Sequence, residues 1–192
     1  NLCQEITLPT YPLQHIDDHT GEIALCILSA INVGKLRDTN ELEELCDLAV
    51  RGLEELIDYQ HYPVVAAERA TKARRSLGVG YIGLAHYLAK NGVKYDDPKA
   101  WELVHDLTES FQYYLIKSSN QIAQEKHWCD DFGRTKYADG ILPIDTYKKD
   151  VDEICSQPLA HDWESLRASI NEYGLRHSTL SAQMPSESSS VV

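Results

Sequence analysis

The chain has 192 residues, enough for one sizeable domain with its own core. Its 18 Lys and Arg against 30 Asp and Glu give a formal net charge of −12, a balance that disfavours nucleic-acid backbones and anionic membranes. No apolar run approaches a membrane span and no signal-peptide pattern is present. The 5 cysteines show no Cys-x-x-Cys spacing, which suits reduced thiols in the cytoplasm.

In chain order, residues 1–8 read as a short extended segment closed by Pro9 and Pro12, with an Asp- and His-rich loop following to Thr20. Ile23 to Val33 is apolar and rich in β-branched residues between Gly21 and Gly34, which predicts a buried strand. Asn40 with Glu43 predicts a capping box, and Leu42, Leu45, Leu48, Ala49, Leu53 and Leu56 then repeat with helical period until Pro63. A second helix is expected from Val64 to about Arg75, and a third from Val79 to Asn91 with Gly92 as its stop. Pro98 opens a long amphipathic helix, with Val104, Leu107, Phe111, Tyr114, Ser118 and Ile122 on one face, ending near Lys126. Shorter helices are expected over Asp145–Cys155 and Trp163–Tyr173, and a second strand over Ser178–Ala182, running into a loop at Pro185. Strand, long helical excursion (residues 38–173) and strand make an α/β organisation that is mostly helical by mass, in one piece without repeat or linker.

Few residues carry candidate chemistry. Asn1, Cys3 and Glu5 alternate, so in an extended segment an amide, a thiol and a carboxylate face one way. Thiol chemistry beside a general base is a catalytic arrangement, although spacing alone favours a buried strand-end thiol. Cys26 sits in the apolar strand, where a core thiol is the simplest reading. Pro185 to Ser190 reads either as a solvated end or as a turn whose amides and hydroxyls hold a phosphate. Gly78-Val79-Gly80-Tyr81-Ile82-Gly83 matches the dinucleotide fingerprint, but a charged helical stretch precedes it, so it reads as a glycine-rich helix start. His15 and His19 lie in a turn-like stretch without further ligands, so no metal site is expected, and all eight histidines read as surface or core groups. Tyr113 and Tyr114 read as packing, and Cys46, Cys129 and Cys155 as structural or incidental thiols.

Three separated patterns, Asn1-Leu2-Cys3-Gln4-Glu5-Ile6, Gly21-Glu22-Ile23-Ala24-Leu25-Cys26 and Met184-Pro185-Ser186-Glu187-Ser188-Ser189, resemble in order the catalytic large subunit of class I ribonucleotide reductases, bacterial or phage type. The likeness runs along the whole chain, through Asp58-Tyr59-Gln60, Tyr87-Leu88-Ala89-Lys90 and Gly140 to Asp150. It implies a segment of a ten-stranded α/β barrel, with residues 1–8 as the finger loop, 184–190 as the phosphate loop, and flanking parts of the subunit missing. It implies radical reduction of ribonucleoside diphosphates, with Cys3 as thiyl radical, Glu5 as proton acceptor, Asn1 as ligand of the sugar hydroxyls, and Leu2 and Gln4 beside the substrate. Cys26 would be one half of a redox dithiol whose other half precedes Asn1, and Pro185, Ser186, Glu187, Ser188 and Ser189 would hold the diphosphate. Ser188 stands where close relatives often carry Thr, which keeps the hydroxyl.

The resemblance also implies a separate small subunit carrying a dinuclear metal site and tyrosyl radical, a thioredoxin or glutaredoxin as reductant, and a homodimer of the full subunit. No cofactor is expected on this segment, which should be inactive alone. Two other readings stand beside it. One is an adenosylcobalamin-dependent reductase, which a tyrosine pair downstream would exclude. The other is a non-catalytic scaffold or binding module, against which the intact Asn1, Cys3, Glu5 and Cys26 argue.

Overall fold

A computed structural model describes residues 5–186. The chain enters strand β1 (Ile27–Asn32), and after a 3-10 turn over Val33–Lys35 forms helices α1 (Glu41–Tyr59) and α2 (Val65–Arg74). Strand β2 (Leu77–Ile82) then runs parallel to β1, from Ile27 opposite Leu77 to Asn32 opposite Ile82. Helices α3 (Leu84–Lys90), α4 (Pro98–Lys126), α5 (Pro143–Thr146) and α6 (Trp163–Tyr173) follow. Residues 178–182 return along the other edge of β2. Leu77 N–H donates to Thr179 O at 3.0 Å, Val79 N–H to Leu180 O at 2.8 Å and Ala182 N–H to Val79 O at 3.1 Å, with Val79 and Ser181 in a parallel bridge. The expected second strand is therefore present as a paired third chain, and β2 is the middle one.

The helices follow their apolar periodicity. In α1, Leu42, Cys46, Val50, Leu53 and Ile57 are buried on one stripe. In α4, Asp97 caps the first turn by accepting Lys99 N–H at 2.9 Å, with Pro98 pre-set for a helix start. This helix buries Leu107, Phe111, Leu115, Ile116 and Ile122, packs against α1 and α6 with Phe111 edge-on to Tyr81 of β2, and stops at Lys126, where its sequence pattern ends.

Four expectations are corrected. The stretch from Val79 is strand β2 before it is helix, so the helical excursion over 38–173 contains a strand. Its glycines hid it, because glycine weakens a strand unless another chain must come close. Here one does: a Cβ on Gly80 would stand 2.4 Å from Ala182 O. The fingerprint-like glycines thus lie within a strand rather than at a helix start, and only Gly83 (φ 78°) makes the turn into α3. The first strand is shorter than Ile23–Val33, because Glu22 pairs with Tyr11 and Ile23 N–H turns to Ala66 O at 3.4 Å, and only Ile31 of β1 is buried. Asn40 makes no side-chain cap. Glu41 instead accepts Arg37 main-chain N–H at 3.1 Å. The helix expected over Asp145–Cys155 is one turn of α5 plus a 3-10 turn at Lys149–Glu153, since residues 145–154 are all exposed and have no apolar face to bury.

One buried ionic cluster joins these parts. Glu54 of α1 is 1 % exposed. It accepts from Arg75 Nε (2.7 Å), Arg176 Nε (2.7 Å) and His177 Nε2 (3.0 Å). Arg75 also forks onto Asp58, at 2.7 and 3.2 Å. His177, fully buried, has Ser119 Oγ at 2.9 Å from Nδ1, and its main-chain N–H donates to the same oxygen at 3.1 Å. A neutral imidazole with its proton on Nε2 satisfies every bond: Ser119 O–H donates to Nδ1 and Nε2–H donates to Glu54. Burial by itself pushes the Glu54 carboxyl up, but hydrogen bonds from His177, Arg75 and Arg176 outweigh it and hold it below the ordinary range. Burial holds the His177 imidazole below its usual value.

Both groups make acid destabilising. Above an unfolded carboxyl pKa of about 4.3 the Glu54 contribution is fully present, and it is lost as pH falls through the lower folded value. Below about 6.5 an unfolded His177 takes up a proton that the folded one refuses, so stability declines there first. Melting temperature of the full-length protein should therefore fall gently below about pH 6.5 and steeply below about pH 4.3. Glu54→Gln, which removes the charge that the buried Arg75 and the half-buried Arg176 both meet, should destabilise by about 3–5 kcal/mol. A melting temperature unchanged by Glu54→Gln would contradict this account of the cluster.

Candidate active site

Cys26 stands at the entry to β1 and is half-buried. Its approach is held at several points. Tyr11 and Glu22 exchange main-chain hydrogen bonds at 3.1 and 2.9 Å, and Arg69 Nη2 donates to Gly21 O and, at 3.1 Å, to Thr20 O. The Glu22 carboxylate accepts from Arg74 Nη2 at 2.8 Å, with Arg134 at 3.8 Å and Arg69 at 4.0 Å. The Arg74 hydrogen bond is the largest influence holding the Glu22 carboxyl below its ordinary value. Beyond the cysteine, Ile27 N–H donates to Ser76 O at 3.4 Å, the first bond of the sheet. The loop before it is fastened by Asp18, which accepts Gln14 N–H at 2.8 Å and both the N–H and hydroxyl of Thr20 at 2.7 Å.

Glu5 is half-buried, and its Oε2 is buried without a hydrogen-bond partner. A carboxylate oxygen in that state is an acceptor available to a hydroxyl that comes to it. Asn1, Leu2, Cys3 and Gln4 lie outside the described residues, as do Glu187, Ser188 and Ser189. Pro185 is exposed and Ser186 half-buried. Cys26 precedes the first rung of the parallel ladder and Pro185 follows its last, so the register sets these two at opposite ends of the strands. The regular ladder stops at Ala182, where Tyr81 N–H turns to the Gln183 side-chain oxygen at 3.3 Å and the Met184 thioether lies over Gly80.

The other thiols differ from Cys26 in setting. Cys46 and Cys129 are buried, and desolvation first, with a neighbouring aspartate second, pushes both thiols up to about 12. Cys155 is half-buried, with its thiol also raised by burial. Tyr113 packs as expected, stacked on His161 at 4.4 Å and edge-on to Trp163 at 5.2 Å. Among the described residues, no group of three or more His, Cys, Asp or Glu side chains could hold a metal ion, and no helix is long and apolar enough to cross a membrane.

The Glu22–Arg74 contact and the Glu54 cluster were not singled out from the sequence. Their only signals are charges set where burial is expected: Glu22 beside an apolar run, Glu54 between Leu53 and Leu56, and Arg74-Arg75 just before a fully buried strand start.

Residues 1–192 match the family described as ribonucleotide reductase, barrel domain. The chain is 62% identical over 192 residues to the ribonucleoside-diphosphate reductase subunit alpha of Haemophilus influenzae, covering 100% of this chain and 25% of that protein. It is 57% identical, with the same coverage, to ribonucleoside-diphosphate reductase 1 subunit alpha of Escherichia coli. Against the ribonucleoside-diphosphate reductase subunit alpha of Enterobacteria phage T4 it is 44% identical over 194 residues, again 25% of that protein. The chain thus spans about a quarter of the length of these relatives, and across its whole extent it belongs to the ribonucleotide reductase barrel-domain family.

Proposed function

We propose that the full-length protein containing this segment reduces ribonucleoside diphosphates to deoxyribonucleoside diphosphates. The observation that carries this is the family match across all 192 residues, together with relatives named for that reaction. Cys3 acts as the radical thiol that takes hydrogen from the ribose C3′ and returns it at the end. Glu5 accepts the 3′-hydroxyl proton, for which its buried, unpartnered Oε2 is suited. Asn1 holds the sugar hydroxyls. The 2′-hydroxyl leaves as water, carrying one thiol hydrogen, and the 2′-carbon gains the other. Cys26 and a second thiol from outside this segment close a disulfide, so the two electrons delivered to the sugar are balanced. Pro185 to Ser189 hold the diphosphate. For this to be so, the chain beyond Ala182 must fold back toward the thiols, and its departure from the ladder there is compatible with such a turn.

The activity requires partners. The relatives are alpha subunits, and we place a separate small subunit as the source of the radical, through a dinuclear metal site and a tyrosyl radical of its own. A thioredoxin or glutaredoxin reopens the disulfide between turnovers, and the full subunit pairs with a second copy.

Cys3→Ala in the full-length protein should abolish turnover, with a loss of at least about 10³-fold, while nucleotide binding measured by calorimetry is retained. Substantial product would refute the radical role. Cys26→Ser should stop multiple turnovers with dithiol reductant, and an unchanged steady-state rate would remove Cys26 from the reaction. Alkylation followed by mass mapping of the reduced protein at pH 8 should modify Cys26 well before Cys46 and Cys129, whose thiols are pushed up to about 12. Equal modification of all three would contradict that division.

A further inference from the structure

We infer that Arg74 is a positioning residue for Cys26, fixing where that thiol stands by gripping Glu22; this rests on the proposed redox role of Cys26. Cys26 lies on a short span between two anchors. Upstream is Glu22, with its side chain on Arg74 Nη2 at 2.8 Å and its main chain on Tyr11. Downstream is Ile27, whose N–H meets Ser76 O at 3.4 Å. Both anchors are thus set by one run, Arg74 to Ser76, at the end of α2.

Arg74 is itself held. Its side chain is 8% exposed and also reaches Asp131 Oδ2 at 3.3 Å, while Asp131 N–H donates to Ala73 O at 3.0 Å. Its main-chain carbonyl accepts Ser178 N–H at 2.9 Å, and Ser76 Oγ lies 3.1 Å from Ser178 Oγ. The same run therefore sets the spacing between the cysteine's strand and the chain that leads to Pro185. An apolar pair would fill this volume as stably, but a guanidinium bonded to a carboxylate adds direction. Direction matters where a reacting sulfur must be placed within a fraction of an ångström.

The test uses the full-length protein with its radical-generating subunit and a dithiol reductant, comparing Arg74→Met, Arg74→Lys, Glu22→Gln and Cys26→Ser. Arg74→Met should lower kcat on the order of 10- to 100-fold while KM moves less than about 3-fold. It should also change the alkylation rate at Cys26 while Cys46 and Cys129 stay protected. Arg74→Lys, which keeps the charge but loses the planar guanidinium and its reach to both Glu22 and Asp131, should recover only part of kcat. If Arg74→Met does not fold, Glu22→Gln, which keeps shape and removes one charge, is read by the same measurements. Wild-type kcat and wild-type alkylation at Cys26 in the folded variant would overturn the inference. So would a rise in alkylation at Cys46 and Cys129 equal to that at Cys26, since that pattern marks general loosening. A fully active Cys26→Ser would instead sink the underlying role of Cys26. An inactive Cys26→Ser beside a normal Arg74→Met would sink the positioning role alone.

Discussion

A carboxylate taken out of water must be surrounded by donors or give up its charge, and Glu54 is surrounded. Its donors come from two places distant in sequence, the residue after α2 and the residues before the third chain of the sheet, and His177 is bonded in turn to Ser119 of α4. Arg75 adopts φ 48°, a left-handed backbone that a non-glycine residue holds only when its surroundings fix it, at a cost of about 1–3 kcal/mol. The two bonds of its guanidinium to Asp58 and its bond to Glu54 do the fixing. Because Arg75 and His177 meet on one carboxylate, residues 74–76 and 176–178 are brought side by side, and the ladder from Leu77 to Thr179 starts there. An ionic contact thereby brings β2 and the third chain together where their pairing begins.

That order of causes explains which parts were legible from sequence. Helices α1, α2, α4 and α6 came from periodic apolar residues and proline punctuation, both properties of a single segment. Strand β2 depends on its neighbours: Gly78 and Gly80 make sense only once Leu28 and Ala182 are seen pressing on them, where a Cβ would stand 2.5 and 2.4 Å away. The reach of Glu54 to Arg176 and His177 spans more than a hundred residues and leaves no local pattern.

The candidate site divides along the same line. Cys26 and Glu5 stand out in the sequence through motifs, because a thiol and a carboxylate carry their chemistry in the residue itself. Arg74 does not, because its importance lies in what it holds. Glu22 reads in the sequence as part of a motif around a cysteine, and in the fold its carboxylate is bonded to Arg74. The clusters around Glu22 and Glu54 sit at the two ends of one short run, with Arg74 serving the first and Arg75 the second. Adjacent residues thus hold the cysteine's strand and the returning third chain.

Native interiors leave few polar atoms without partners, and each orphan costs about 1–3 kcal/mol, so where the orphans fall is informative. Arg74 Nε, Thr71 Oγ1 and Thr179 Oγ1 are buried and unpartnered, and all three belong to the end of α2 or to the first rungs beside it. Glu5 Oε2, at the start of the described residues, and His105 Nδ1, in α4, complete the set among the described residues. Further along α4, Asn120 spends its amide on Gly174 O and Ser169 O and receives Ser169 Oγ and Gln124 Nε2. Three of the five unpartnered atoms lie where the cysteine's strand enters the sheet, beside the run in which Arg74 already spends Nη2 on Glu22.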